Sequence, residues 1–82
     1  MYYVYIIYSG KRDRYYVGSC GDIEARLRRH NTNHRGYTGG VGDWALVYSE
    51  SYADKSAAQF REREIKRWKS RKRIEELIAA GA

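Results

Sequence analysis

Sulfur and proline are almost missing from this chain, which holds one cysteine, Cys20, one methionine and no proline. A lone cysteine excludes an internal disulfide and any zinc site of the multi-cysteine kind, so packing alone must hold the domain together. No apolar run approaches the ~18 residues that a membrane span requires, and Met1-Tyr2-Tyr3-Val4-Tyr5 has neither a basic leader nor a small-residue cleavage site. The expectation is a cytoplasmic protein with no membrane partner. There is no internal repeat or low-complexity linker either, and 82 residues suffice for one core only. Residues 1–82 therefore read as a single domain.

Basic residues and tyrosine are what the chain has in excess. Sixteen Lys and Arg against ten Asp and Glu give a formal charge of +6, and eight of the sixteen lie between Arg61 and Arg73, opposed only by Glu62 and Glu64. Scattered charge would serve solubility. Charge focused in this way points to a polyanionic partner such as nucleic acid. Nine tyrosines are present, six of them within the first sixteen positions. Tyrosine is a good strand residue whose ring packs while its hydroxyl reaches water, so most of the nine need no function.

Tyr2 to Tyr8 and Tyr15 to Ser19 are rich in β-branched and aromatic residues, and the polar stretch Ser9 to Arg14 between them reads as a hairpin loop. An even loop puts Tyr5 and Tyr16 on one face of the antiparallel pair; an odd loop separates them. Asp22 caps a helix reaching about Asn31, on which Ile23, Leu27 and His30 share a stripe and Arg26 lies ~60° to its side, while Arg28 and Arg29 point away. Asn31 to Asp43 is a loop, followed by a third strand, Trp44 to Tyr48, whose apolar middle suggests a central or covered position. Asp54 caps a helix from Lys55 to about Trp68 with a ragged stripe of Ala57, Ala58, Phe60, Ile65 and Trp68. On that stripe Glu64 lies nearer the centre than Glu62, which is ~100° away. Ser70 caps a terminal helix through Ile74, Leu77 and Ile78, ended by Gly81.

Val4-Tyr5, then Tyr16-Val17-Gly18 eleven residues later, Arg26 eight residues after the glycine, His30 one turn on, and Glu62 within Ala57…Arg61-Glu62…Ile65-Lys66…Trp68 form an ordered set. In that order and spacing the chain resembles the GIY-YIG nuclease superfamily, close to its small single-domain bacterial branch, from about Tyr3 to about Ile78. Tyr3 stands where the family's leading glycine is found. The resemblance implies a small α/β (α+β) domain, a three-stranded antiparallel sheet flanked by helices in the order β-β-α-β-α-α. It also implies metal-dependent hydrolysis of DNA phosphodiesters, with a role in DNA repair or recombination.

The resemblance assigns Tyr5 and Tyr16 to orienting and deprotonating water, Arg26 to phosphate contact, His30 to proton transfer or to holding a tyrosine hydroxyl, and Glu62 to Mg²⁺ (or Mn²⁺). Phosphodiester hydrolysis needs a base, stabilisation of charge on the phosphorane oxygens and help for the leaving alkoxide. A phenol with a pKa near ~10 is a poor base unless a cation lowers it, and Arg26 can supply that field. Which tyrosine is the base stays open, and His30 reads equally well as a packed histidine on the Ile23 and Leu27 stripe. On spacing alone Glu62 and Lys66 form an ordinary i,i+4 pair worth ~0.3–0.5 kcal/mol.

For binding DNA the candidates are Arg28, Arg29, His34, Arg35, Lys66, Lys69, Arg71 and Lys72, with Asn31 and His34 as weaker contacts to substrate in the loop. Trp68 fits the core better than a stacking role. Tyr37-Thr38-Gly39-Gly40 has no strand before it and no helix at once after it, so it is a poor phosphate loop. Many family members join this domain to another that selects the target, so a partner protein for targeting is an expectation here. The alternative is a nucleic-acid-binding module of the same fold without cleavage. All four substrates, branched, single-stranded and duplex DNA and RNA, are open.

Overall fold

The computed structural model describes residues 1–32 and 35–81. Its elements run β1 (Tyr2–Ser9), β2 (Arg14–Cys20), α1 (Ile23–Asn31), β3 (Trp44–Tyr52), α2 (Lys55–Trp68) and α3 (Arg71–Gly81). The order is the expected β-β-α-β-α-α. All strand pairs are antiparallel, and β1 lies between β2 and β3. No helix among the described residues is long and apolar enough to cross a membrane.

β1 is central because Val4, Tyr5, Ile6 and Ile7 are four consecutive residues buried on both sides. Val4 and Ile6 pack with Val17, Ala58 and Ile65 under α2, while Tyr5 and Ile7 pack with Cys20 and Trp44 under α1. The register pairs Tyr5 with Gly18 and Ile7 with Tyr16. Tyr5 and Tyr16 therefore share the α1 side, as an even loop requires.

The third strand departs from its expected place and length. It lies at an edge, with Ala45, Leu46 and Val47 exposed, and continues through Tyr52. A register shift between Ile6 and Ile7 leaves Val47 as the extra residue, so Trp44 and Leu46 face α1 whereas Tyr48, Glu50 and Tyr52 face α2. Apolar residues at successive positions thus reflect a bulge, not burial on both faces. Glu50, in the part of the strand beyond Tyr48, is matched by Arg61 at 3.0 and 3.1 Å and by the hydroxyls of Tyr48 and Tyr52. Burial raises its pKa, but these donors outweigh burial and hold the carboxyl below its ordinary value.

Helix ends follow the sequence closely. Asp22 accepts from Ala25 N at 3.1 Å and Asp54 from Ala57 N at 2.8 Å, and Ser70 accepts from Arg73 N at 3.2 Å. On α2, however, Phe60 is 63% exposed and the inner row is Ala58, Glu62 and Ile65 at i, i+4 and i+7. Counting Phe60 as core had tilted the stripe toward Glu64, which is exposed. Trp68 packs against the core with the guanidinium of Arg73 4.4 Å from its ring centre.

Candidate active site

Gly18 is a glycine because of the ring that crosses it. A Cβ built at this position would stand 2.6 Å from Tyr5 Cζ, and Tyr5 is only 2% exposed, so the ring has nowhere to retreat. Gly18→Ala is therefore expected to lower stability by ~1–3 kcal/mol through overpacking, although alanine has the better strand backbone. Urea unfolding measures it. An unchanged midpoint would show that Tyr5 can move aside at little cost.

The Tyr5 hydroxyl lies 2.7 Å from His30 Nε2, and His30 Nδ1 lies 2.7 Å from Thr38 Oγ1. Thr38 is fixed in turn by its carbonyl, which accepts from Trp44 Nε1 at 2.8 Å. Burial pushes the Tyr5 phenol well above its ordinary pKa, Tyr16 adds to the shift, and Arg26 opposes it. A phenol that keeps its proton donates to Nε2, leaving Nδ1–H to donate to Thr38. His30 thus holds a tyrosine hydroxyl and is also packed, at 7% exposure. Nothing in the sequence marked Thr38 as its partner, because loop threonines are common and this one is eight residues away.

Tyr16 is half-buried, its ring centre 6.4 Å from that of Tyr5 and 4.9 Å from His30. With His30, Tyr37, Arg26 and Arg29 it borders an open cleft of about 310 Å³. Arg26 is solvent-exposed yet close enough to Tyr5 to favour its anion. Arg29, expected to point away, flanks the cleft one turn farther along α1, so two guanidinium groups face the same space.

Glu62 is not on the face that carries Tyr16. Its helix packs beneath the opposite side, where its Oε1 accepts from Ser19 Oγ at 2.5 Å. Lys66 Nζ donates to Oε2 at 2.6 Å and sits 5.7 Å from the Tyr16 ring centre. The carboxylate and that ring are therefore no farther apart than those two distances laid end to end. They lie on opposite faces of β2, an edge strand, with Lys66 between them. The Glu62 and Lys66 pair is the i,i+4 pair that spacing gives, whereas Ser19 escaped notice because strand phase and helix phase become neighbours only once α2 is docked.

Of the residues expected to bind nucleic acid, Arg28, Arg35, Lys69 and Lys72 are exposed, and Lys66 is engaged by Glu62. Arg71 bonds Asp13 at 2.6 Å and Glu75 at 3.3 Å. His34 lies outside the described residues. Asn31 is taken up by the backbone of Trp44, donating to its carbonyl at 3.0 Å and accepting from its N–H at 2.7 Å, so it staples α1 to β3.

The family model described as the GIY-YIG catalytic domain matches residues 1–75. A UPF0213 protein of Haloquadratum walsbyi is 37% identical over 81 residues, which is 98% of this chain and 89% of that relative. One from Clostridium perfringens is 40% identical over 68 residues, 82% of this chain and 72% of the relative. The solution NMR structure of a UPF0213 protein from Bacillus halodurans matches the fold with a TM-score of 0.62 at 30% identity, over 100% of this chain and 88% of that one.

Proposed function

Because the chain belongs to the GIY-YIG family, a family of nuclease catalytic domains, we propose that it is a metal-dependent endonuclease acting on DNA phosphodiesters. The observation that carries the proposal is the convergence of Tyr16, Arg26, Arg29 and the bonded Tyr5 and His30 pair on one cleft, with Glu62 across β2 and joined to Tyr16 through Lys66.

The two tyrosines divide the work. Tyr5 is buried, bonded and holds its proton, so it positions, whereas Tyr16 borders the open cleft and is the phenol that meets water. Arg26 and Arg29 receive the phosphate and stabilise the charge that grows on it. No cluster of three His, Cys, Asp or Glu converges among the described residues. A carboxylate such as Glu62 fits Mg²⁺ (or Mn²⁺), hard cations that keep several waters and take one or two carboxylates plus substrate phosphate. Glu62 would hold the ion, with Lys66 moving off Oε2 to release it. Once bound, such an ion neutralises charge on the phosphoryl oxygens and assists the leaving alkoxide.

The test is cleavage of branched, single-stranded and duplex DNA and of RNA, with and without Mg²⁺ or Mn²⁺. Metal-dependent cutting of DNA is expected. Binding without cutting of any substrate would make the chain a binding module instead. We place its work in DNA repair or recombination in the cytoplasm, with a separate protein for targeting.

The basic α2 to α3 region supplies a second measurement. If it holds the phosphate backbone, log affinity for DNA falls steeply with log salt, and Lys69→Ala or Lys72→Ala lowers that slope by about one phosphate each. Arg71→Ala lowers it less, because its charge is already shared between Asp13 and Glu75. A slope unchanged in the lysine variants would move the binding face to Arg28, Arg29 and Arg35.

A further inference from the structure

Tyr37 combines a fixed backbone with a ring open to solvent. Arg12 grips the carbonyls on both sides of the turn, Tyr37 O through Nη1 and Gly39 O through Nη2 at 2.8 Å, and Gly39 N donates to Gly36 O at 2.9 Å. The next residue, Thr38, is bonded to His30. Yet Tyr37 itself is 59% exposed. Its ring lies beside Tyr16 at 6.1 Å between centres and 28° between planes. It also borders a second cavity of about 260 Å³ that Arg14, Lys69 and the Arg71 and Asp13 pair flank, leaving a net positive lining. An exposed aromatic thus stands as the wall between two cation-lined hollows, one of which holds the site.

We infer that Tyr37 is a platform for a nucleobase next to the scissile phosphate, an inference that rests on the nuclease reading above. Successive phosphates of one strand would follow Arg26 and Arg29 on one side of the ring and Arg14 and Lys69 on the other. Their base would lie on the open ring face between them. A base inside a duplex has both faces covered by its neighbours and cannot take this position without leaving the stack. Tyr37 therefore favours unpaired nucleotides in single-stranded, gapped or branched DNA. An apolar side chain of a protein partner would also cover the ring, but it would bring no anion to Arg26 and Arg29 on one side or to Arg14 and Lys69 on the other.

The test needs no chemistry. A short single-stranded oligodeoxynucleotide carrying 2-aminopurine is titrated with protein in EDTA, and the same sequence as a full duplex is titrated in parallel. Binding of the single strand should quench the fluorescence. Tyr37→Ala should weaken that binding roughly tenfold or more and abolish the quench, whereas Tyr37→Phe and Tyr37→Trp should stay within about twofold of wild type. Tyr37→Leu, apolar but without a π face, should behave like alanine, which separates stacking from support of the loop. Duplex affinity should be unchanged throughout. Tyr37→Ala binding the single strand as wild type does, or losing duplex affinity equally, would overturn the inference. A wild type that quenches but never cuts would remove the nuclease reading and leave the platform standing.

Discussion

Glu62→Gln is expected to reduce metal-dependent cleavage by roughly a thousandfold or more while leaving the protein folded and bound to DNA. Glutamine keeps the volume, and its carbonyl can still accept the Ser19 hydroxyl, but the charge that would hold a divalent ion is gone. Stability should change by less than ~1 kcal/mol, because the Glu62 to Lys66 pair is partly exposed and pairs of that kind contribute little. DNA affinity should hold or rise, since carboxylate–phosphate repulsion disappears and Lys66 is released toward the substrate. Single-turnover cleavage, thermal melting and a binding titration read the three effects separately. Cleavage that survives the substitution would show the nuclease assignment to be right and the metal position wrong.

Arg26→Ala should abolish cutting on a similar scale, on the order of a thousandfold, but with a different signature. The ground-state phosphate loses a contact, so binding weakens along with catalysis. The Tyr5 phenol also loses the charge that opposes its burial, so it holds its proton more firmly still. Arg26→Lys restores charge without the planar fork and should recover only part of the rate. Equal binding by Arg26→Ala and wild type would assign phosphate contact to Arg29.

Local signals carried the element order and the three helix caps, because each depends on residues a few positions apart, whereas the hairpin phase stayed open until the register paired Tyr5 with Gly18 and Ile7 with Tyr16. The sheet order was less legible. Val4 to Ile7 is the buried run, but tyrosines on either side gave it the look of a half-exposed strand, while the bulge at Val47 gave an edge strand the look of a covered one. Glu50 hid the length of β3 until Arg61 and two phenols were brought to it from α2 and from within the strand. On α2, the exposed Phe60 displaced the stripe, and only docking placed Glu62 in the inner row. The family resemblance, drawn from Tyr5, Tyr16, Gly18, Arg26 and Glu62, agrees with the match over residues 1–75. What it left out was the arrangement. Glu62 lies across an edge strand from Tyr16 and is bonded to Ser19 of that strand, and Thr38, which holds His30, comes from the loop before β3.

The crossing of Tyr5 over Gly18 joins two positions on neighbouring strands into one heritable unit. A side chain at 18 costs least once the ring at 5 has shrunk, so the order in which the two mutations arrive sets the stability of the intermediate. Alanine at 18 should cost much less in a Tyr5→Leu background than in the wild type, a departure from additivity that a double-mutant cycle reads directly. Descendants of this chain that abandon the glycine are therefore expected to have abandoned the tyrosine first, and the buried proton-holding phenol with it.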